Sequence, residues 1–205
     1  MFTDKKDIES WLKKIGVNNY SINDDLTVDV DGNVDLIGRE INSMPVQFGK
    51  VYGDFNVDKN KLTSLKGCPE IVMGSFCCSL NNLTSLDYCP KRIGENFTCY
   101  KNQLTSLSGM PKKINCNFIC SQNPIITFDG IAENIGGDLG MDNLEINEEE
   151  LLKFNTNVKG NLFSDFGFND DFYNKVMQVK VNYEKSLLNM ALDNDYEKRN
   201  IKKRI

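Results

Sequence analysis

The chain has 205 residues, of which 40% are apolar, enough for one domain with a sizeable core. Charged residues make up 26% and the net charge is −5. That composition excludes an intrinsically disordered chain and argues against sequence-independent nucleic-acid binding, which needs a basic face.

Histidine is absent. The commonest general base and zinc ligand are therefore missing, and every Ser-His or Cys-His mechanism is excluded. The first segment, MFTDKKDIESWLKK, is charged and lacks the apolar stretch of a signal peptide. No run approaches the roughly 20 apolar residues of a membrane span. The expectation is a cytoplasmic protein with no membrane contact, in which the seven cysteines are reduced thiols.

Over residues 4–15, Ile8, Trp11, Leu12 and Ile15 share one helical face, and Gly16 follows as a stop. This predicts a helical cap and lead-in over residues 1–29. The VDVDG segment (28–32) places Asp29 and Asp31 on either side of Val30 and does not meet the spacing of a calcium loop.

Three stretches then align without a gap: NKLTSLKGCPEIVMGSFCCSL (60–80), NNLTSLDYCPKRIGENFTCYK (81–101) and NQLTSLSGMPKKINCNFICSQ (102–122). A fourth, NPIITFDGIAENIGGDLGMDN (123–143), keeps the 21-residue register. The columns are Asn60/Asn81/Asn102/Asn123, Leu62/Leu83/Leu104/Ile125, Leu65/Leu86/Leu107/Phe128 and Pro69/Pro90/Pro111. They continue with Val51/Val72/Ile93/Ile114/Ile135, Phe55/Phe76/Phe97/Phe118/Leu139 and Val57/Cys78/Cys99/Cys120/Met141. Val30, Gly32, Val34, Leu36, Ile41 and Met44 extend them upstream in degraded form, and VKGNLF (158–163) repeats the strand motif two residues late. A unit this short cannot bury its apolar side alone, so stacked units must share one core. The alternation Val72-x-Gly74-x-Phe76-x-Cys78 reads as a half-buried strand, with successive strands parallel at about 4.8 Å. The Asn column predicts a side-chain ladder onto backbone at the following turn.

The spacing Phe76-x-Cys78-x-x-Asn81-x-Leu83-x-x-Leu86 resembles the core of the leucine-rich repeat, with its first leucine displaced to the Val51/Val72/Ile93 column. The fold expected is a leucine-rich-repeat-like solenoid over residues 30–165, with parallel β-strands on one face, short turns on the other and helical caps at both ends. The N-x-L-T-S-L-x-G-C-P copies, with the preceding VDVDG strand, are similar to bacteriophage-encoded leucine-rich-repeat proteins over roughly residues 5–140. That resemblance implies a phage product acting in a bacterial host. It supplies no catalytic residues.

If the Phe and Cys columns point inward, their neighbours point out. The candidate binding face is then Tyr52, Asp54, Asn56, Met73, Ser75, Cys77, Asn96, Thr98, Tyr100, Asn117 and Ile119. Its middle is neutral with a few apolar points, its ends are acidic, and Tyr100 is the expected anchor, because aromatics dominate binding hot spots. The cysteines read as small apolar filler rather than zinc ligands, since no C-x-x-C pair occurs. Glu148–Glu150 predicts a helix start.

In the third segment, 166–205, the residues Phe172, Val176, Val179, Tyr183, Leu187 and Met190 recur at helical spacing. They predict a C-terminal amphipathic helix that either caps the last coil or pairs with a second copy. The function expected is a non-enzymatic protein-binding module with no cofactor or metal, acting on a host protein. A phage assembly component that oligomerises through 170–205 is the alternative.

Overall fold

The computed structural model describes residues 1–141, 146–164, 167–168, 174–175, 178–179 and 181–188. It is a parallel β-solenoid of about six turns with a small helical cap. Helix α1 (Lys5–Ile15) starts on the Asp4 side chain, which accepts from Lys6 N–H. It ends at Gly16, whose left-handed φ of 83° lets its N–H reach the last turn. Ile8 and Leu12 are buried, and Trp11 tilts onto Phe48 with ring centroids 6.3 Å apart. The cap is thus locked to the solenoid core through apolar contact. A hairpin follows: β1 (Tyr20–Ile22) runs antiparallel to β2 (Thr27–Val30).

Each coil then contributes two short strands separated by a corner. The first coil holds β2 and β3 (Val34–Asp35). The second holds β4 (Gln47–Val51) and β5 (Phe55–Asn56), the third β6 (Ile71–Val72) and β7 (Phe76–Cys77), and the fourth β8 (Arg92–Ile93) and β9 (Phe97–Thr98). The fifth holds β10 (Lys113–Ile114) and β11 (Phe118–Ile119), the sixth β12 (Asn134–Ile135) and β13 (Leu139–Gly140). Helix α2 (Glu148–Lys153), capped by Asn147, is inserted before the seventh, β14 (Asn157–Val158) and β15 (Leu162–Ser164). Because of that insert, Val158 pairs with Ile135 and Leu162 with Leu139 at a separation two residues longer than the repeat.

The strands form two ladders. Ladder B joins β3, β5, β7, β9, β11, β13 and β15 in one parallel sheet, closed by antiparallel β16 (Gly167–Phe168). Ladder A is interrupted: β2, β4, β6 and β8 pair in sequence, β10, β12 and β14 pair in sequence, and β8 does not pair with β10. Among the described residues an antiparallel strand flanks each ladder, β1 at the N-terminal end of ladder A and β16 at the C-terminal end of ladder B.

The inward columns fill one continuous core. Phe55, Phe76, Phe97 and Phe118 are fully buried and stack at centroid distances of 6.0, 5.6 and 5.2 Å. Each contributes roughly 1.5–3 kcal/mol by leaving water. At the turn after ladder B, each repeat Asn is buried and satisfied. Asn102 Nδ2 donates to Cys99 O (3.1 Å) in its own coil and Cys78 O (3.0 Å) in the coil before, while its Oδ1 accepts from Leu83 N–H (3.0 Å). Asn81 and Asn123 repeat the same bonds.

Candidate functional site

The structure divides the expected binding face into three groups. Tyr52 and Met73 lie at the corner between the ladders, exposed by 56% and 40%. Asp54, Ser75, Asn96 and Asn117 belong to a second side-chain ladder. Ser75 N–H donates to Asp54 Oδ1 (2.7 Å), Asn117 N–H to Asn96 Oδ1 (3.1 Å) and Asp138 N–H to Asn117 Oδ1 (2.8 Å). Asn96 Nδ2 donates to Ser75 Oγ (3.3 Å). These four hold coil to coil and offer a partner little beyond their edges. Asn56, Cys77, Thr98 and Ile119 form the true outward row of ladder B, all half-buried, with Tyr100 half-buried in the next row.

The Asp/Asn ladder also explains the corner glycines. A Cβ at Gly74 would lie 2.3 Å from Asp54 Oδ1, and one at Gly137 would lie 2.2 Å from Asn117 Oδ1. In the coil above Ser75, whose side chain is short, the same column carries Glu95, and Ser75 Oγ donates to its carboxylate at 3.2 Å. Gly53, Gly74 and Gly137 each sit over an Asn or Asp of the previous coil, whereas Glu95 sits over the short Ser75 and Cys116 over Asn96.

The centre of the ladder-B row is knitted internally. Ser79 Oγ donates to Thr98 Oγ1 (3.2 Å), and Thr98 also hydrogen-bonds the Cys77 thiol. Burial raises the Cys77 pKa despite that bond. The pKa of Asp58, whose Oδ1 accepts from Ser79 N–H at 2.5 Å, is likewise raised by burial. Tyr100 and Ile119 form no such side-chain bond among the described residues. Gly140 continues the row, and a Cβ there would meet the Phe163 ring at 2.9 Å and Ile119 Cγ2 at 3.2 Å. The row is thus polar and self-bonded in the third and fourth coils and apolar from Ile119 towards Phe163.

All seven cysteines are free thiols. Cys68, Cys78, Cys89, Cys99 and Cys120 are buried in the core, and burial raises Cys68, Cys78, Cys89 and Cys99 well above the ordinary thiol range. They fill space and are poor nucleophiles. Among the described residues no group of three or more Cys, Asp or Glu side chains could hold a metal, and no helix is long and apolar enough to cross a membrane.

Of the C-terminal helix, Phe172, Val176 and Met190 lie outside the described residues. Val179 packs on the core, and residues 181–188 are helical and exposed, including Tyr183, Leu187 and Leu188. A shallow groove of about 310 Å³ between this helix and α2 is lined by Glu148, Glu149, Leu152, Val179, Asn182 and Tyr183.

Sequence reasoning passed over the outward side of ladder A. Lys91-Arg92 and Lys112-Lys113 each follow a repeat proline, so the two dibasic pairs stand side by side on the fourth and fifth coils. The 21-residue register puts both pairs at the same position of adjacent repeats, a local basic patch on a chain of net charge −5.

Together these features define a parallel β-solenoid with chemically distinct outer faces. In comparisons with known proteins, no family model, no curated protein and no solved structure matches the chain.

Proposed function

We propose that this chain is a non-enzymatic protein-binding solenoid whose contact surface is the outward side of ladder B, centred on Tyr100 and Ile119. One observation carries the reading: ladder B is an unbroken seven-strand parallel sheet, and these two side chains stand on its outer side outside the coil-to-coil bonding. A rigid platform presenting uncommitted apolar groups costs little ordering entropy on association. The acidic residues at its N-terminal end, Asp35, Asp54 and Asp58, favour a partner with a basic rim. The absence of histidine and the buried, raised-pKa thiols argue against an enzyme. The resemblance of the LTSLxGCP copies to phage-encoded repeats supports a phage factor that binds a host protein in the bacterial cytoplasm.

The test is capture from bacterial lysate with tagged chain, compared with a Tyr100→Ala/Ile119→Ala variant of equal melting temperature. A stoichiometric protein retained by the wild type and lost by the variant is expected. Equal retention by both would refute this surface.

A second reading has its own support, because Tyr183, Leu187 and Leu188 remain 48–61% exposed on one described helical segment. Under that reading the chain is an assembly component that pairs through 170–205. Light scattering of the full chain and of a form ending at Phe168 separates the two: self-association lost on truncation favours assembly.

A further inference from the structure

The outward side of ladder A carries chemistry that ladder B lacks. Lys91, Arg92, Lys112 and Lys113 converge on the fourth and fifth coils. Lys91 is held by Glu70 at 2.5 Å, and Lys112 by Glu133 at 3.7 Å. Arg92 and Lys113, between them, have no acidic partner among the described residues. Like charges abreast on neighbouring strands repel. This is also the one step of ladder A at which strand pairing fails among the described residues.

The backbone records that failure. Lys91 N–H donates to Glu70 O and Gly94 N–H to Val72 O, each at 2.9 Å, in the step before. Glu133 N–H to Lys112 O (2.8 Å) and Gly136 N–H to Ile114 O (2.9 Å) repeat this in the step after. Between the fourth and fifth coils neither bond forms. Asn115 instead reaches across with its side chain, Nδ2 donating to Gly94 O at 3.0 Å. The corner bond from Cys116 N–H to Glu95 O lengthens to 3.3 Å.

Beside the cations lies an apolar strip. Ile71 is the strand neighbour of Arg92, and Tyr52 and Met73 are exposed on the adjoining corner. The repeat thus keeps a local conflict, four cations and an open seam, next to uncovered apolar groups. Conflicts of this kind mark positions retained for a task other than stability.

We propose that this face binds an acidic segment of a partner protein. Carboxylates seat between Arg92 and Lys113, and an aliphatic side chain packs on Ile71, Met73 and Tyr52. Charge complementarity selects the occupant. These four cations span two coils and are flanked by Glu70 and Glu133, and the next cation of the outward row, Lys50, lies two coils away beyond Ile71. A short acidic segment meets the cations alone, whereas a long polyanion would run on into like charge. Arg92 supplies a planar fork suited to a carboxylate and Lys113 a point charge beside it.

The test uses the full chain and a short fluorescein-labelled Glu/Leu peptide, followed by fluorescence anisotropy. Saturable binding that weakens with added salt is expected. An Arg92→Thr/Lys113→Thr variant should bind about tenfold more weakly or worse and should also melt at a higher temperature, because the repulsion across the seam is gone. Lys101→Asn, on the turn after ladder B, removes a charge with a residue that tolerates the left-handed φ of 52° there, and should change neither. Three results would overturn the proposal: no binding by the wild type, equal binding by the double variant, or tighter binding of a thymidine oligonucleotide through the same residues. A lower melting temperature for the double variant would overturn the claim that the cluster is kept against stability.

Discussion

Ladders A and B share one chain, one period and one core, yet ladder B is continuous and ladder A is split between β8 and β10. The inward residues do not account for the difference. Val72, Ile93, Ile114 and Ile135 are as completely buried as the Phe column. The outward residues differ. Ladder B carries Asn56, Cys77, Thr98 and Ile119, which are neutral, whereas ladder A sets Arg92 beside Lys113 at the break. The core columns run through both ladders alike, and the break in ladder A coincides with this pair of outward cations.

The largest expected effect breaks both ladders at once. Phe97→Ala removes the middle of the ring stack and should cost about 3–5 kcal/mol through the cavity it leaves. Chemical denaturation reads it, and an unchanged midpoint would contradict the inward stack. Asn102→Ala acts next to ladder B alone. It strands the Cys99 and Cys78 carbonyls and the Leu83 amide, at a cost of about 1–3 kcal/mol or more. Asn102→Asp should do no better, because it restores the acceptor but not the donors.

A smaller change should stabilise. The column Gly67/Gly109/Gly130 adopts positive φ, and Tyr88 occupies the same column with φ of 66° and 63% exposure. Tyr88→Gly relieves that strain and should raise stability by up to about 1 kcal/mol, offset by the entropy glycine adds to the unfolded chain. A lower melting temperature would show that the Tyr88 ring makes a contact that outweighs the strain.

The smallest effect depends on pH. Burial raises the Asp58 pKa, so the native state binds its proton more readily than the unfolded state. Its contribution therefore falls as pH rises through the carboxylate range and is unfavourable at neutrality. Asp58→Asn keeps an oxygen for Ser79 N–H. It should raise the melting temperature at pH 7 and lose that advantage below the usual carboxylate range. A gain that persists at low pH would point to packing instead.

Much of this was legible in the sequence because the core columns are uniform. Leu62, Leu83 and Leu104, the Asn ladder and the two-residue delay at Val158 follow from the 21-residue register, and the start of α2 from the acidic run Glu148–Glu150. The second ladder was not legible. Val72-x-Gly74-x-Phe76-x-Cys78 reads as one strand because alternation reports which side faces the core and is blind to a bend around it. The chain turns at residues 73–75 while every inward residue stays inward. The outward set was therefore split: Tyr52 and Met73 went to the corner, and Asp54, Ser75, Asn96 and Asn117 were drawn into coil-to-coil bonding. The Gly at positions 53, 74 and 137 of the same column was the available clue, since it marks where a side chain from the previous coil sits against backbone.

Native-state hydrogen exchange, resolved by residue, tests the contrast between the ladders most directly. The Lys112 and Asn115 amides, at the open step of ladder A, should exchange fast. Phe97, Cys99 and Lys101, which donate at 2.9 Å across the same two coils on the ladder-B side, should be protected until global unfolding. Equal protection on both sides would contradict a split ladder A and remove the structural basis for a binding seam between the fourth and fifth coils.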